Sequence, residues 1–498
     1  MENSPPTVSS FGLITGGKDV TVQETFEVYD PVTQKVVHLA PAATEEHAIQ
    51  AVKDAELAFD TWRDSTPWER RQIFLKAAEI LQGRKDELIE AMVRETGAKA
   101  VWATFNIQTA IQFVLEGAAI ATQVKGEILQ SNDKGMLAMV LKEPCGVVLG
   151  IAPWNAPIIL GIRAFITPLA CGNTAILKAS ESSPYTQYLL VDSFRKAGLP
   201  AGVLNYICCP RAAAGTVTEA MVAHPAVQRV NFTGSTAVGR LIAALCAKYL
   251  KPAVLELGGK APMVVLQDAD LEEAARAAAF GAMLHQGQIC MSTERIIVHK
   301  SVSKPFTELL KAKINTYKAA GPSEDATTTL GSLITPAAGQ RVERLIKDAL
   351  AKGARIEAGK LDVRGAVVQP TALGGITKDM DLYFQESFGP VVTLFEFETT
   401  QEAISLANDT EYGLVSSVFS NNIAEALAVA RKIKSGSCHI NGATIHGKLT
   451  CGLDEPHLPL GGQKASGYGK FGGTACINEF TEDRVVTIAI PGGKHYPI

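Results

Sequence analysis

Residues Val227–Leu250 read VQRVNFTGSTAVGRLIAALCAKYL. Apolar, β-favouring residues lead into a tight turn, and apolar residues at helical spacing follow it, so the stretch reads as strand, turn and helix. The first N–H groups of such a helix lack intrahelical partners and sit at the positive end of its dipole. The turn and the first helical turn, Gly234, Ser235, Thr236, Ala237, Val238 and Gly239, therefore form a candidate phosphate-binding segment. The spacing is not G-x-G-x-x-G, because Thr236 stands at the middle position. A purely structural βα turn stays open as the alternative.

Working outward, GVVLGIAPW, NTAILKAS, VLNYICC and AVLELGG are short, apolar and rich in Val, Ile and Leu, and helix-like segments separate them. Buried strands alternating with helices indicate a parallel α/β sheet, and residues 146–259 look like one dinucleotide-binding-type half or more. A second α/β series follows, from PMVVL through ERIIVHK, VVTLFEF and VSSVFS to SCHIN. Upstream, from Thr44 to about Gly126, the reading is helical. It opens at a Thr44 capping box with a Glu three residues on, and Gly97 stops the helical run PWERRQIFLKAAEILQGRKDELIEAMVRETG. VKGEILQSNDKGMLAMVLKEP reads as two amphipathic strands around a turn. The terminal EFTEDRVVTIAI has strand character and can add to a sheet elsewhere.

The net charge of −4 over 498 residues leaves no basic footprint for nucleic acid and no polybasic membrane patch. The longest apolar stretch is broken by three prolines and by Asn155 and Arg163, so no spanning helix is expected. MENSPPTVSS has no basic start or apolar region of a signal peptide. The nine cysteines show no CxxC and no metal spacing with His, which predicts no metal site and free thiols in a reducing cytoplasm. Each cysteine taken alone is most simply a small core residue.

One further element bears on the phosphate turn. The strand in AILKASESSP ends at Lys178, and Glu181 lies three residues on. A carboxylate just past a strand end is placed to accept from adenosine ribose hydroxyls and to repel a 2′-phosphate. A Glu capping the next helix is the other reading.

Six motifs then occur in order: PWN at Pro153–Asn155, LKASE at Leu177–Glu181, FTGSTAVG at Phe232–Gly239, LELGGK at Leu255–Lys260, GQIC at Gly287–Cys290 and ESFGPV at Glu386–Val391. Together they resemble the NAD(P)-dependent aldehyde dehydrogenase superfamily over nearly the whole chain. PWNAPIILGIR and DEPHLPLGGQKASGYGKFGG look most like its salicylaldehyde and vanillin branch. The resemblance implies a Rossmann-like NAD-binding domain (residues 1–124 and 146–258), an α/β catalytic domain (259–455) and a small β oligomerisation arm (125–145 and 478–498). It also implies a homodimer or homotetramer.

The resemblance implies roles that chemistry can check. Oxidising an aldehyde requires a tetrahedral centre that expels hydride, and a thiolate adding to the carbonyl supplies one. Cys290 resembles the family nucleophile. It sits in a polar loop, unlike Cys246 on a helix. Asn155 resembles the oxyanion donor, with the Cys290 N–H as a second. Glu256 resembles the base that activates water and that can also deprotonate the thiol. A carboxylate there favours hydrolysis to a free acid over transfer to coenzyme A. Pro153, Trp154, Lys178, Glu181, Gly258, Glu386 and Phe388 resemble cofactor-binding residues, beside the Gly234–Gly239 turn. Glu181 favours NAD, with NADP possible.

For the substrate, NAPIILGIR reads as helix, so Asn155, Ile159 and Arg163 share a face within ~40° by the 3.6-residue period. An Arg two turns from Asn155 can bind a phenolate, a carboxylate or a ring face, or sit salt-bridged at the channel mouth. Trp102, in KAVWATFN, is a candidate aromatic wall. These residues fit a hydroxylated benzaldehyde. An aliphatic or semialdehyde dehydrogenase of the same fold, with Arg163 on a carboxylate, is the alternative, and a non-catalytic protein with this fold is a more distant one.

Overall fold

The strand of the opening stretch spans Val227–Thr233, and its helix spans Thr236–Lys248 with Ser235 as N-cap. In this computed structural model residues 9–489 are described, except 134, 323, 326, 446, 449–451 and 454. The expectations placed on residues 1–8, on Cys451 and Asp454 and on residues 490–498 of the arm lie outside the described residues.

Five parallel strands form the centre of the first sheet, in the spatial order Ala253–Glu256, Val227–Thr233, Val147–Ile151, Thr174–Lys178, Leu204–Ile207. Chain order reverses between Val147–Ile151 and Val227–Thr233. Ligands of open α/β sheets bind in the crevice beyond the strand C-termini at such a reversal. Antiparallel additions close both edges: Gly467–Tyr468 beside Ala253–Glu256, and Leu13–Thr15 with Lys18–Val20 beside Leu204–Ile207. The N-terminal and C-terminal segments thus complete a sheet whose core lies in the middle of the chain.

A second, seven-stranded sheet runs Arg355–Gly359, Thr371–Gly374, Val391–Phe397, Thr293–His299, Ala261–Val265, Val415–Phe419, Ser437–Ile440. All its pairs are parallel except the first. Glu127–Leu129, Met136–Pro144 and Thr481–Ala489 make a separate antiparallel sheet, with Met136–Pro144 in the middle. The terminal strand, whose destination the sequence left open, pairs there along its whole length.

The helical region resolves into Glu45–Trp62, Pro67–Gly83, Lys85–Thr96 and Ala100–Ile120, and Gly97 ends the third. The capping box at Thr44 forms with His47, not with a Glu: the Thr44 side chain accepts from the His47 N–H, and the His47 ring accepts from the Thr44 N–H. The third position after Thr44 is His47, and an imidazole nitrogen accepts there as a carboxylate would. Thr66 and Glu69 form the expected Thr/Glu box one helix later. Among the described residues no helix is long and apolar enough to cross a membrane, and no group of three or more His, Cys, Asp or Glu could hold a metal ion.

Candidate active site

A cavity of about 560 Å³ opens at the chain reversal of the first sheet. Pro153, Trp154 and Asn155 enter it from the end of Val147–Ile151, Gly234 to Ala237 from the end of Val227–Thr233, and Glu256 and Gly258 from the end of Ala253–Glu256. Cys290, Glu386 and Phe388 close it from the second α/β unit. Twelve of the residues singled out in the sequence therefore share one cavity.

The loop before Cys290 has an unusual backbone. His285, Gln286 and Gly287 all have left-handed φ values, +48°, +56° and +71°. Non-glycine residues hold this conformation only where the surroundings impose it. A β-carbon at Gly287 would lie 2.1 Å from the Gly389 carbonyl oxygen, so GQIC and ESFGPV meet backbone to backbone. The Gln288 side chain donates to Ser332 O (3.3 Å) and accepts from Ile334 N (2.9 Å), pinning the loop from the other side.

Cys290 is half-buried, and its Sγ donates to Glu256 Oε1 at 3.4 Å. Burial pushes this thiol well above its usual range, and the Glu256 carboxylate pushes it further, while Arg163 pulls it back. The thiol therefore rests protonated beside an acceptor for its proton. The other cysteines lack this setting. Cys246, for example, is buried on its helix and raised to about 11 by burial. All eight described cysteines are free.

Asn155 Nδ2 donates to Gln288 O (2.9 Å), which ties its amide to the Cys290 loop and leaves its second N–H available to a ligand oxygen. The helix expected to begin at Asn155 begins instead at Pro157, with Ala156 as N-cap. Proline is suited to the first helical position, and the residue before a proline is driven out of the helical region. Ile159 and Arg163 keep their shared helical face, but Asn155 lies outside the register expected to align it with them.

The three residues expected to contact substrate lie outside the cavity lining. Ile159 is buried in the first core. Trp102 is 4% exposed, stacks between Phe105 and His285, and donates from Nε1 to Asn155 O at 3.1 Å. It supports the Asn155 backbone and is not a wall. Arg163 is 3% exposed and makes a buried ion pair with Glu256 Oε2. It stands behind the carboxylate and not at a channel mouth.

At the cofactor side, a β-carbon at Gly258 would lie 2.6 Å from Glu386 Oε2 and 3.2 Å from Thr236 Oγ1. Glycine there keeps open a cradle shared by LELGGK, ESFGPV and FTGSTAVG. Glu386 accepts from Gly259 N (2.9 Å), and burial raises its carboxyl to about 8. Gly239 packs under Leu257, and Val238 is 44% exposed, so neither lines the cavity. Lys178 and Glu181 also lie outside its lining. Lys178 is buried and donates to Ala179 O (3.2 Å), and Glu181 is partly exposed.

Several supporting residues carried no role in the sequence reading. Arg341 donates to the carbonyls of Glu386 (2.6 Å) and Ser387 (2.7 Å). Glu294 accepts from the Ser387 N–H (2.7 Å) and hydroxyl (2.8 Å) and pairs with the buried Lys260. Phe471 lies under the Arg163 guanidinium. The available signal was charge in apolar context: Glu294 interrupts the strand TERIIVH, and Lys260 ends LELGGK.

A family model described as the aldehyde dehydrogenase family matches residues 19–486. The chain is 50% identical over 488 residues to a vanillin dehydrogenase of Pseudomonas fluorescens, across 98% of this chain and 99% of that protein. Its structure superimposes on a salicylaldehyde dehydrogenase from Pseudomonas putida complexed with salicylaldehyde. The TM-score is 0.94 at 40% identity, covering 98% and 100% of the two chains. It also superimposes on an NAD-dependent aldehyde dehydrogenase from Sinorhizobium meliloti, with TM-score 0.93 at 32% identity, covering 99% and 98%.

Proposed function

The chain belongs to the aldehyde dehydrogenase family, and from that premise we propose that it oxidises aromatic aldehydes to carboxylic acids with NAD. One observation carries the reading. A thiol, a carboxylate within hydrogen-bonding reach of it and an amide donor converge in the same cavity that the Gly234–Ala237 turn and Glu386 line. Relatives named for vanillin and salicylaldehyde support the aromatic substrate, as does a lining that includes Trp154, Phe384, Phe388 and Tyr412.

The residues divide the work as follows. Glu256 Oε1 takes the Cys290 proton, and the sulfur adds to the aldehyde carbon. The carbonyl oxygen gains negative charge and accepts from the free N–H of Asn155 Nδ2, with the Cys290 backbone N–H as a second donor. The Gly234–Ala237 turn, Glu386 and Phe388 would hold NAD, which when bound would supply the acceptor for the hydride of the tetrahedral carbon. A thioester to Cys290 remains. Glu256 passes the first proton, from Cys290, to solvent and then takes one from water. The hydroxide adds to the thioester, and the carbon–sulfur bond breaks to release the acid, with the Glu256 proton returning to the Cys290 sulfur. Lys178 and Glu181 hold the adenosine ribose.

The working form is a homo-oligomer. Thr481–Ala489 and Ser437–Ile440 are edge strands of their sheets, and open edges favour pairing with a second copy. Free thiols fit a cytoplasmic setting.

The test is an aldehyde panel followed by NADH absorbance, with NAD and NADP run separately. Vanillin, salicylaldehyde and benzaldehyde are expected to exceed succinate semialdehyde in kcat/KM. A preference for the semialdehyde would overturn the aromatic assignment.

A further inference from the structure

We propose that Arg163 is a positioning residue that holds the Glu256 carboxylate aimed at the reacting atoms. The proposal rests on the reading of Glu256 as the base.

The two carboxylate oxygens of Glu256 have different partners. Oε1 accepts from Cys290 Sγ, on the cavity side, and Oε2 is paired with Arg163 Nη2. Both ends of this ion pair are almost inaccessible, with side chains 3% and 2% exposed. The same Nη2 donates to Thr233 Oγ1 (3.2 Å), at the end of the strand beside that of Glu256. The guanidinium carbon sits 4.6 Å from the centre of the Phe471 ring. Phe471 is fixed by reciprocal backbone bonds with Leu460, both 2.8 Å, and the nearby Gly467–Tyr468 strand pairs with Leu255 and Glu256. The helix, the neighbouring strand and the C-terminal segment therefore all converge on the guanidinium that grips the Glu256 carboxylate.

Physical chemistry gives this grip a function. By fixing Oε2, Arg163 leaves Oε1 facing Cys290, so the carboxylate does not have to be oriented at the moment of proton transfer. The arrangement of nucleophile, base and orienting group is that of an activated-nucleophile site, here built as Cys–Glu–Arg. Among the described residues, Cys290, Arg341, Glu386, Glu411 and Tyr412 are the other ionisable groups that line the cavity. Lys260 and Glu294 lie beyond Glu386 and pair with each other.

Deacylation isolates the effect, because Cys290 carries the acyl group then and Glu256 is the base the step uses. Arg163→Met and Arg163→Gln remove the ion pair, and Arg163→Lys can retain it. Release of benzoate after the NADH burst is measured in the full-length enzyme. Removing the pair is expected to slow that release about tenfold with KM nearly unchanged, because the base is no longer held in place. Arg163→Lys should recover most of the rate. In a Glu256→Gln background the slow residual rate should not fall further on adding Arg163→Gln, since residues acting through one group are not additive. An unchanged rate of release, a loss that Arg163→Lys does not reduce, or a full further loss in the Glu256→Gln background overturns the proposal. Wild-type deacylation in Glu256→Gln alone removes the base reading itself, and is thereby distinguished from a failure confined to Arg163. Nucleotide binding measured by protein fluorescence identifies any variant that fails to fold, and the second uncharged variant then decides.

Discussion

The reactive end of the cavity and the residues assigned to the adenosine are built on different principles. At the reactive end each working group is held by a buried partner far away in the sequence. Glu256 is held by Arg163, Asn155 by Gln288 and Trp102, and the Cys290 loop by Ser332 and Ile334. Lys178 and Glu181 instead stand on one strand end and its following turn, and Glu181 is partly open to solvent. A tetrahedral centre requires placement within fractions of an ångström, whereas a ribose is captured by a local βα turn. Clamping is accordingly concentrated where bonds are made.

The largest expected effect separates the two ends completely. Cys290→Ala should abolish aldehyde oxidation, by at least about 10⁴-fold, because no other group can form the covalent intermediate. NAD affinity, read by fluorescence titration, should stay within about twofold, since its contacts lie at the other residues of the cavity. Residual oxidation above trace would assign the reaction to another thiol. A large loss of NAD binding would mean that the two ends are one coupled unit.

The sequence was most legible where function depends on local chain geometry. The strand, turn and helix at Val227–Lys248 and the buried strands were readable because period and turn chemistry are local, whereas Cys290, Glu256 and Glu386 were marked only by the resemblance of their motifs to a family. What was hidden depended on packing between distant segments. The partner of Arg163, left open between a substrate group and a salt bridge, is the Glu256 carboxylate, which no local pattern marks. Trp102 was read as a wall because an aromatic in a helix carries no mark of where its N–H points. The roles of Phe471 and Glu294 exist only once the C-terminal segment and the Ser387 loop are brought alongside.

A middle-sized effect sharpens the contrast. Trp102→Phe retains a ring between Phe105 and His285 but removes the N–H that reaches Asn155 O. A buried acceptor left unpaired costs about 1–3 kcal/mol. Loss of that support should lower kcat/KM roughly tenfold, at about 1.4 kcal/mol per tenfold. The loss should be the same for vanillin and for benzaldehyde, because the residue acts on Asn155 and not on the ring substituents. Unequal losses would return Trp102 to the substrate, as its sequence context first suggested.

The smallest effect belongs to the adenosine residues. Had Glu181 been fully buried, discrimination against a 2′-phosphate would run to 1–3 kcal/mol, since an unpaired buried charge is costly. Its partial exposure places it in a screened setting, where charge contacts contribute about 0.2–1 kcal/mol. The expected preference for NAD over NADP due to this carboxylate is therefore about fivefold or less. Lys178, buried nearby, attracts either cofactor and reduces the difference further. Glu181→Gln should raise the NADP-to-NAD ratio of kcat/KM by about two- to fivefold and leave the NADH burst amplitude unchanged. Added salt should shrink the wild-type preference, because screening acts on exposed charges first. A tenfold or greater change on substitution, insensitive to salt, would show that Glu181 becomes enclosed when the cofactor binds. The adenosine residues would then be clamped like the reactive end, and the contrast between them would fall.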